Sequence, residues 1–258
     1  TDAAFEVALA TLRAKGATLV DIKKFDDSAI GDNELTVLLT EFKTDLAKYL
    51  KSSPAPISVR SLADVIAFNE AHMKQEMPLF GQELFEQAQE TKGLNDPAYK
   101  RARSVSFHAA GPNGIDRLLK DYKVVALVGP TMPPAWKIDA VNGDQISGGG
   151  AGSLAAVAGY PHLTVPMGLV KGLPVGLSFI GAKWSEPLLL SLGYAYEQAR
   201  GGFPAPNSFA RLGAMSFARP SSAWLTTGST ERSNPRRSRL ERAVFVPSHE
   251  EQSSVIRA

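Results

Sequence analysis

Three places in the 258-residue chain combine residue types and spacings that can do chemistry. The first is Ser147-Gly-Gly-Gly-Ala-Gly-Ser153, two hydroxyls on a glycine run that leads into the apolar Leu154 to Ala158. Glycine leaves backbone N–H groups uncovered, so Gly148 and Gly149 are candidates for substrate binding, and the run through Gly152 for holding an anion at a helix start. The plainer reading of the same run is a flexible lead into that helix. The second place is Pro130-Thr131, behind the apolar run Val124-Val-Ala-Leu-Val128 and Gly129. Such a run reads as a strand buried on both faces, and ligands collect at loops beyond strand ends. Pro130 and Thr131 are therefore candidates for lining a cleft, with a turn cap as the plainer role for Thr131. The third is His162, at the head of His-Leu-Thr-Val165. No Ser-His-Asp set surrounds it in sequence, so it reads as a packed, hydrogen-bonded histidine rather than a base. Trp136 and Tyr160 stand near the glycine-rich segments as acyl-pocket or packing residues, and Asp26-Asp27 reads as a solvated loop.

Other chemistries are excluded or disfavoured by composition. The chain has no cysteine, which removes thiolate nucleophiles, disulfides and thiolate-held metals and leaves the redox compartment undecided. His72, His108, His162 and His249 form no HxH or HxxxH pair, so neither a metal nor a cofactor is expected. No apolar stretch approaches the ~20 residues of a membrane span, and the start, with Asp2 and Glu6, lacks the basic lead of an export signal. A membrane partner is not expected, and a cytoplasmic location is the default. With 44% hydrophobic and 21% charged residues, the chain can bury one large core or two modest ones.

Charge divides the chain in two. All fourteen lysines precede residue 204, whereas eight of the fourteen arginines fall in 204–258 against four acids, a balance of +4; the twenty cations and twenty-two acids of 1–203 give −2. The tail also holds ten serines and five prolines and, after Phe217, no run with a helix or strand period. It reads as a disordered or non-native extension, and the abrupt switch from lysine to arginine raises the hypothesis that residues beyond about Ala210 come from a shifted reading frame, which the other frames of the coding DNA would test. Nucleic-acid binding is not expected, because the arginines are interleaved with Ser and Pro rather than with aromatics.

The elements that must position the candidate residues follow from periodicity. Ala4, Phe5, Ala8, Leu9 and Leu12 mark a helix closed by Lys15-Gly16, and Ala17 to Ile22 a short strand. Asp32 or Asn33 caps a helix from Glu34 to about Leu50, with Leu35, Leu38, Leu39, Phe42, Leu46 and Tyr49 as its apolar stripe. Ser61-Leu-Ala-Asp64 opens a helix to about His72; further helices are expected over Gln82 to Thr91, Ala98 to Phe107 and Ile115 to Tyr122. Leu154 to Ala158 is a short helix, His162 to Val165 and Leu173 to Ile180 are strands of an edge hairpin turning at Lys171-Gly172, and Ser185-Glu186-Pro187 opens a last helix to about Arg200. The order implies an α/β fold entered partway.

The ordered run Ala155-Ala-Val-Ala-Gly-Tyr-Pro-His-Leu-Thr-Val-Pro-Met-Gly168, then Gly172-Leu-Pro-Val-Gly-Leu-Ser-Phe-Ile-Gly181, then Leu188 to Ala199 with Tyr196-Glu-Gln-Ala, resembles the C-terminal part of the amidase signature family. Val124 to Pro133 is similar to the family's buried strand and Pro-Thr-x-Pro loop, and Glu41-Phe-Lys with Tyr49-Leu50 to its mid-chain helix, so residues 1 to about 200 are covered. Gly159-Tyr-Pro-His-Leu-Thr-Val-Pro-Met-Gly and Pro134-Ala-Trp-Lys-Ile-Asp139 are most like the bacterial peptide-amidase-like branch. The resemblance implies a mixed β-sheet covered by helices, incomplete here, and a parent that hydrolyses carboxamides with release of ammonia through a Ser-Ser-Lys triad. In that triad a lysine acts through a bridging serine on a nucleophilic serine, beside backbone oxyanion donors.

The family's lysine, its serine- and glycine-rich stretch and its Asp-Thr-Gly-Gly-Ser loop all precede the matched region. Lys74, Ser147 and Ser153 mimic the composition of that triad, but the sequence offers Gly168-Leu-Val-Lys-Gly-Leu-Pro174 where a Thr-Gly-Gly-Ser context is required, so no catalytic residue is assigned and the chain alone is expected to be inactive. Its expected partners are a small amide or peptide amide in the intact parent, and the missing N-terminal part or a second copy to cover unpaired strand edges. Alternatives are a noncatalytic binding or scaffold protein derived from an amidase half, and a protein resembling the glutaminase-like component of the transfer-RNA-dependent amidotransferase. On these grounds 1–203 forms the amidase-like unit and 204–258 the tail.

Overall fold

The computed structural model describes residues 1–22, 25–139, 141–144 and 150–203, with the backbone of 242–245. Helix α1 (Asp2–Ala14) buries Phe5, Ala8, Leu9 and Leu12, the expected stripe, and is left at Gly16 with φ +89° before β1 (Thr18–Asp21). Helix α2 (Ser28–Ser52) starts a turn earlier than Asp32 or Asn33. Ile30 is buried in the core, which draws the preceding residues into the helix, and Asn33 bonds back to Ala29 O at 2.8 Å instead of capping. The Leu35, Leu38 and Tyr49 side of the expected α2 stripe is exposed.

The next starts follow their caps. Ser61 Oγ accepts from Asp64 N at 3.2 Å at the head of α3 (Leu62–Ala71), and Asp64 accepts from Arg60 N at 2.9 Å. The bond from Arg60 N and then that with Ser61 hold the Asp64 carboxyl below its ordinary range. The short α4 (Met73–Glu76) and α5 (Glu83–Glu90) lead to α6 (Pro97–Ala110), where Asp96 accepts from Ala98 N at 3.0 Å. The two helices expected across Phe107 to Ile115 are one continuous rod: a π-helical turn, Gly111–Asp116, carries α6 into α7 (Arg117–Tyr122). Pro112 has no N–H to donate, and a wider turn accommodates the gap without ending the helix.

Strand β2 (Ala126–Pro130) is followed by α8 (Gly152–Ala158), which ends on Gly159 at φ +67°. Strands β3 (His162–Val170) and β4 (Leu173–Ile180) form the expected hairpin, with Lys171 and Gly172 at φ +50° and +82°, the left-handed pair that a two-residue turn demands. Their antiparallel register pairs His162 with Ile180 and Thr164 with Ser178, and shifts between Pro166 and Gly168. Helix α9 (Glu186–Arg200) closes the unit.

The sheet order is β1-β5-β2-β4-β3, with β5 (Arg242–Phe245) antiparallel to both neighbours and the β3–β4 hairpin at the end, as expected. No strand is expected in the tail from sequence. Ala243-Val-Phe245 suits one, and the seat between β1 and β2 offers unpaired backbone groups on both sides. The remainder of 204–258 lies outside the described residues, as does the reading-frame hypothesis.

Alternation along the strands feeds two cores. Ala126, Val128, Val175, Leu177 and Phe179 pack with Phe5, Leu9, Leu189 and Tyr196 on the α1–α9 side. Leu127 and Ile180 pack with Ile115, Leu118, Leu154 and Ala158 on the α7–α8 side. Every pairing among the described strands is antiparallel, so the sheet is not the mixed one expected; with β5 seated between them, β1 and β2 do not pair with each other. Each fully buried apolar side chain contributes about 1.5–3 kcal/mol relative to exposure, so this helix-covered sheet is a rigid platform for the loops at its end. Among the described residues, no helix is long and apolar enough to cross a membrane.

Candidate functional site

Strand β2 carries Pro130 and Thr131 to the end of the sheet, where the hairpin and the glycine-rich segment meet them. Thr131 N donates to Gly176 O at 2.8 Å, and Ala151 N donates to Pro130 O at 3.1 Å. A methyl group on Gly150 would run into the carbonyl oxygen of Thr131, and one on Gly176 would stand 2.6 Å from Thr131 Oγ1 and 2.7 Å from Thr164 Cγ2. Glycine is needed at both positions because backbone and hydroxyl close in on them. Two of the places singled out in the sequence are thus brought together. Gly148, Gly149 and Ser147 lie outside the described residues.

The third place joins them through β parity. His162 and Thr164 alternate with Leu163 and Val165, and Gly176 and Ser178 with Val175 and Leu177, so the polar members share the face that Thr131 overlies. Ser178, 0% exposed, has its Oγ 2.8 Å from Thr131 Oγ1 and 2.7 Å from His162 Nε2. Thr164 Oγ1 lies 3.4 Å from His162 Nε2 and accepts a long 3.5 Å bond from Thr131 Oγ1. Burial lowers the pKa of His162, favouring the neutral ring, and Gly152 would place a methyl 3.8 Å from its Cε1. His162 is hydrogen-bonded, as expected from sequence, but it stands exposed at the start of β3 rather than packed inside. Ser178 and Thr164 do not stand out in the sequence; their signal is the period of two that sets them opposite the Val-Leu-Phe face.

Aromatic residues frame the other side of α8. Tyr160 is buried in the core, and its hydroxyl donates to Asp116 Oδ2 at 2.7 Å; burial first, and that carboxylate second, push the phenol up to about 12. Lys183 Nζ lies 5.3 Å from the ring centroids of both Tyr160 and Phe107. Tyr160 therefore packs. Trp136 is partly exposed and donates to Asp144 Oδ1 at 3.0 Å in the loop after β2. Asp26 accepts from Ser28 N at 3.1 Å at the start of α2. Lys74 is exposed on α4 and Ser153 on the first turn of α8. Among the described residues, no cluster of three metal-ligating side chains converges.

What the site can do is bind. A threonine hydroxyl backed by a buried serine and a neutral imidazole offers both donors and acceptors to a neutral polar group.

The model of the family described as Amidase matches residues 1–190. Over 199 residues the chain is 34% identical to a probable amidase of Arabidopsis thaliana, covering 73% of this chain and 34% of that one. Over 120 residues it is 36% identical to a glutamyl-tRNA(Gln) amidotransferase subunit of Exiguobacterium sibiricum, covering 45% of this chain and 24% of the other. Among solved structures, the native peptide amidase of Stenotrophomonas maltophilia superposes with a TM-score of 0.70 at 48% identity, and the protein called PAM12A with 0.73 at 50%, each covering 80% of this chain and 41% of the neighbour. The chain thus spans about a third of the length of the probable amidase and two fifths of the solved peptide amidase.

Proposed function

Because the chain belongs to the amidase family, with peptide-amidase-like relatives, we propose that it forms the C-terminal wall of a carboxamide-hydrolysing site. Its parent would cleave C–N bonds such as peptide C-terminal amides and release ammonia. The observation that carries this reading is the meeting of Pro130–Thr131 with Gly150 and the Ser178–His162 pair at one end of the sheet. Pro130, Thr131, Gly148 and Gly149 are proposed to bind substrate. The solved peptide amidase, at 48% identity, favours the peptide-amide substrate class.

The chemistry needs a nucleophile, a base and oxyanion donors, and none is assigned to this chain. Lys74, Ser147 and Ser153 are not proposed to supply them. Residues 1–203 are proposed as the amidase-like unit, to whose sheet the tail adds the strand β5 between β1 and β2. Alone, the 258-residue chain is expected to release no ammonia from a peptide amide and to take no label from a serine-directed fluorophosphonate. Co-production with the N-terminal portion of a peptide amidase would restore both. An adduct at Ser147 or Ser153 with turnover by the chain alone would overturn the inactive reading.

A further inference from the structure

We propose that His162, acting through Ser178, is a positioning residue that decides whether the Thr131 hydroxyl presents its hydrogen or its lone pairs to a bound carboxamide. This rests on the reading of Pro130–Thr131 as a cleft wall. Ser178 Oγ carries one hydrogen and sits 2.7 Å from His162 Nε2 and 2.8 Å from Thr131 Oγ1, buried from solvent. It donates to one neighbour and accepts from the other, because leaving its hydrogen unmatched in the interior is costly. The roles of His162 and Thr131 are therefore opposite and linked.

When Nε2 carries no hydrogen, Ser178 donates to the ring and accepts from Thr131, whose lone pairs face a ligand. When Nε2 carries one, the ring donates to Ser178, Ser178 donates to Thr131, and the Thr131 hydrogen turns to the ligand. A carboxamide has an N–H₂ donor and a carbonyl acceptor, so the two states engage opposite halves of it. Thr164, at 3.4 Å from Nε2 and 3.5 Å from Thr131 Oγ1, is at the margin of hydrogen bonding and is the weaker branch. Ser178, Thr164 and Gly152 stand against the ring, and none of them ionises.

The test is an NMR titration of histidine in the full chain, with the His162 signal identified by its loss in His162→Gln. Thr131→Val should lower the His162 midpoint by roughly half a pH unit, because the Ser178 hydroxyl hydrogen, turned toward Thr131 when the cationic ring donates to Ser178 Oγ, loses its acceptor. The same substitution in a Ser178→Ala background should move nothing. Ser178→Cys, which keeps the volume with a weaker hydrogen bond, should show a reduced shift and serves if the alanine variant folds poorly. No shift with Ser178 present, or an equal shift without it, overturns the relay. Acetyl-leucinamide added to the wild-type chain should displace the His162 midpoint, and that displacement should vanish in Ser178→Ala. A displacement that survives there overturns the ligand half of the proposal. Absence of any binding overturns the cleft reading, while the ligand-free titrations still decide the relay.

Discussion

On one face of the β3–β4 hairpin, Val165, Val175, Leu177 and Phe179 meet α1 and α9; on the other, His162, Thr164 and Ser178 meet Thr131 and the start of α8. The same two strands supply both, with a change of side at each residue. The first face gains from area removed from water and is indifferent to polarity of detail. The second buries a hydroxyl beneath an imidazole at its exposed edge, and the buried hydroxyl is tolerable only because it has partners. One face holds the sheet to its helices; the other arranges donors and acceptors where the loops converge.

The largest test of that contrast is to hollow out the apolar face. Phe179 is fully buried, with its ring 6.3 Å from that of Tyr196. Phe179→Ala should cost about 3–5 kcal/mol in urea unfolding while leaving the His162 titration in place in the fraction that remains folded. A loss below about 1 kcal/mol would mean that this face is not the mechanical one.

Next in size is crowding on the polar face. Gly150→Ala sets a methyl against the Thr131 carbonyl, a backbone atom that cannot swing aside, and should cost about 1–3 kcal/mol. Unlike Phe179→Ala, it should also disturb the Thr131 and His162 resonances. Unchanged resonances would show that the glycine segment does not press on Thr131.

Much of this contrast is legible in the sequence. The alternation in His-Leu-Thr-Val165 and Leu-Pro-Val-Gly-Leu-Ser-Phe-Ile180, the positive-φ turn at Lys171-Gly172 and the caps at Ser61 and Asp96 are local signals, and the fold realises them. The join of α6 to α7 is not legible, because a Gly-Pro pair reads as a break, whereas a π turn absorbs it. Nor is the early start of α2, because burial of Ile30 is a tertiary effect. The site is half legible: Pro130, Thr131 and His162 stand out as residues, but Ser178, which links them, looks like one more strand position. Its partners are 16 and 47 residues away, and no local pattern connects them.

A smaller effect tests the aromatic frame. Tyr160→Phe removes the bond to Asp116 and should cost about 1 kcal/mol at neutral pH. The folded phenol is raised to about 12, above its unfolded value of about 10. This contribution is therefore whole below about pH 10 and is lost as pH rises through the folded value, so the gap between wild type and variant should shrink toward alkaline pH. A gap that stays level would place the stabilisation in packing rather than in the protonated hydroxyl.

The smallest expected effect bears most directly on the polar face. Burial depresses the pKa of His162 in the folded chain below its unfolded value of about 6.5. A base with a lowered folded pKa binds more protons unfolded than folded across that window, so its neutral form contributes stability above about pH 6.5 that is lost as pH falls through the folded value. His162→Gln keeps a hydrogen-bonding group toward Ser178 but cannot ionise. The variant should therefore show a flatter acid limb of unfolding free energy than the wild-type chain, and the difference should be absent above about pH 7.5. An acid limb identical in both chains would mean that the ring takes its proton without cost, and that the polar face is as wet as the apolar face is dry.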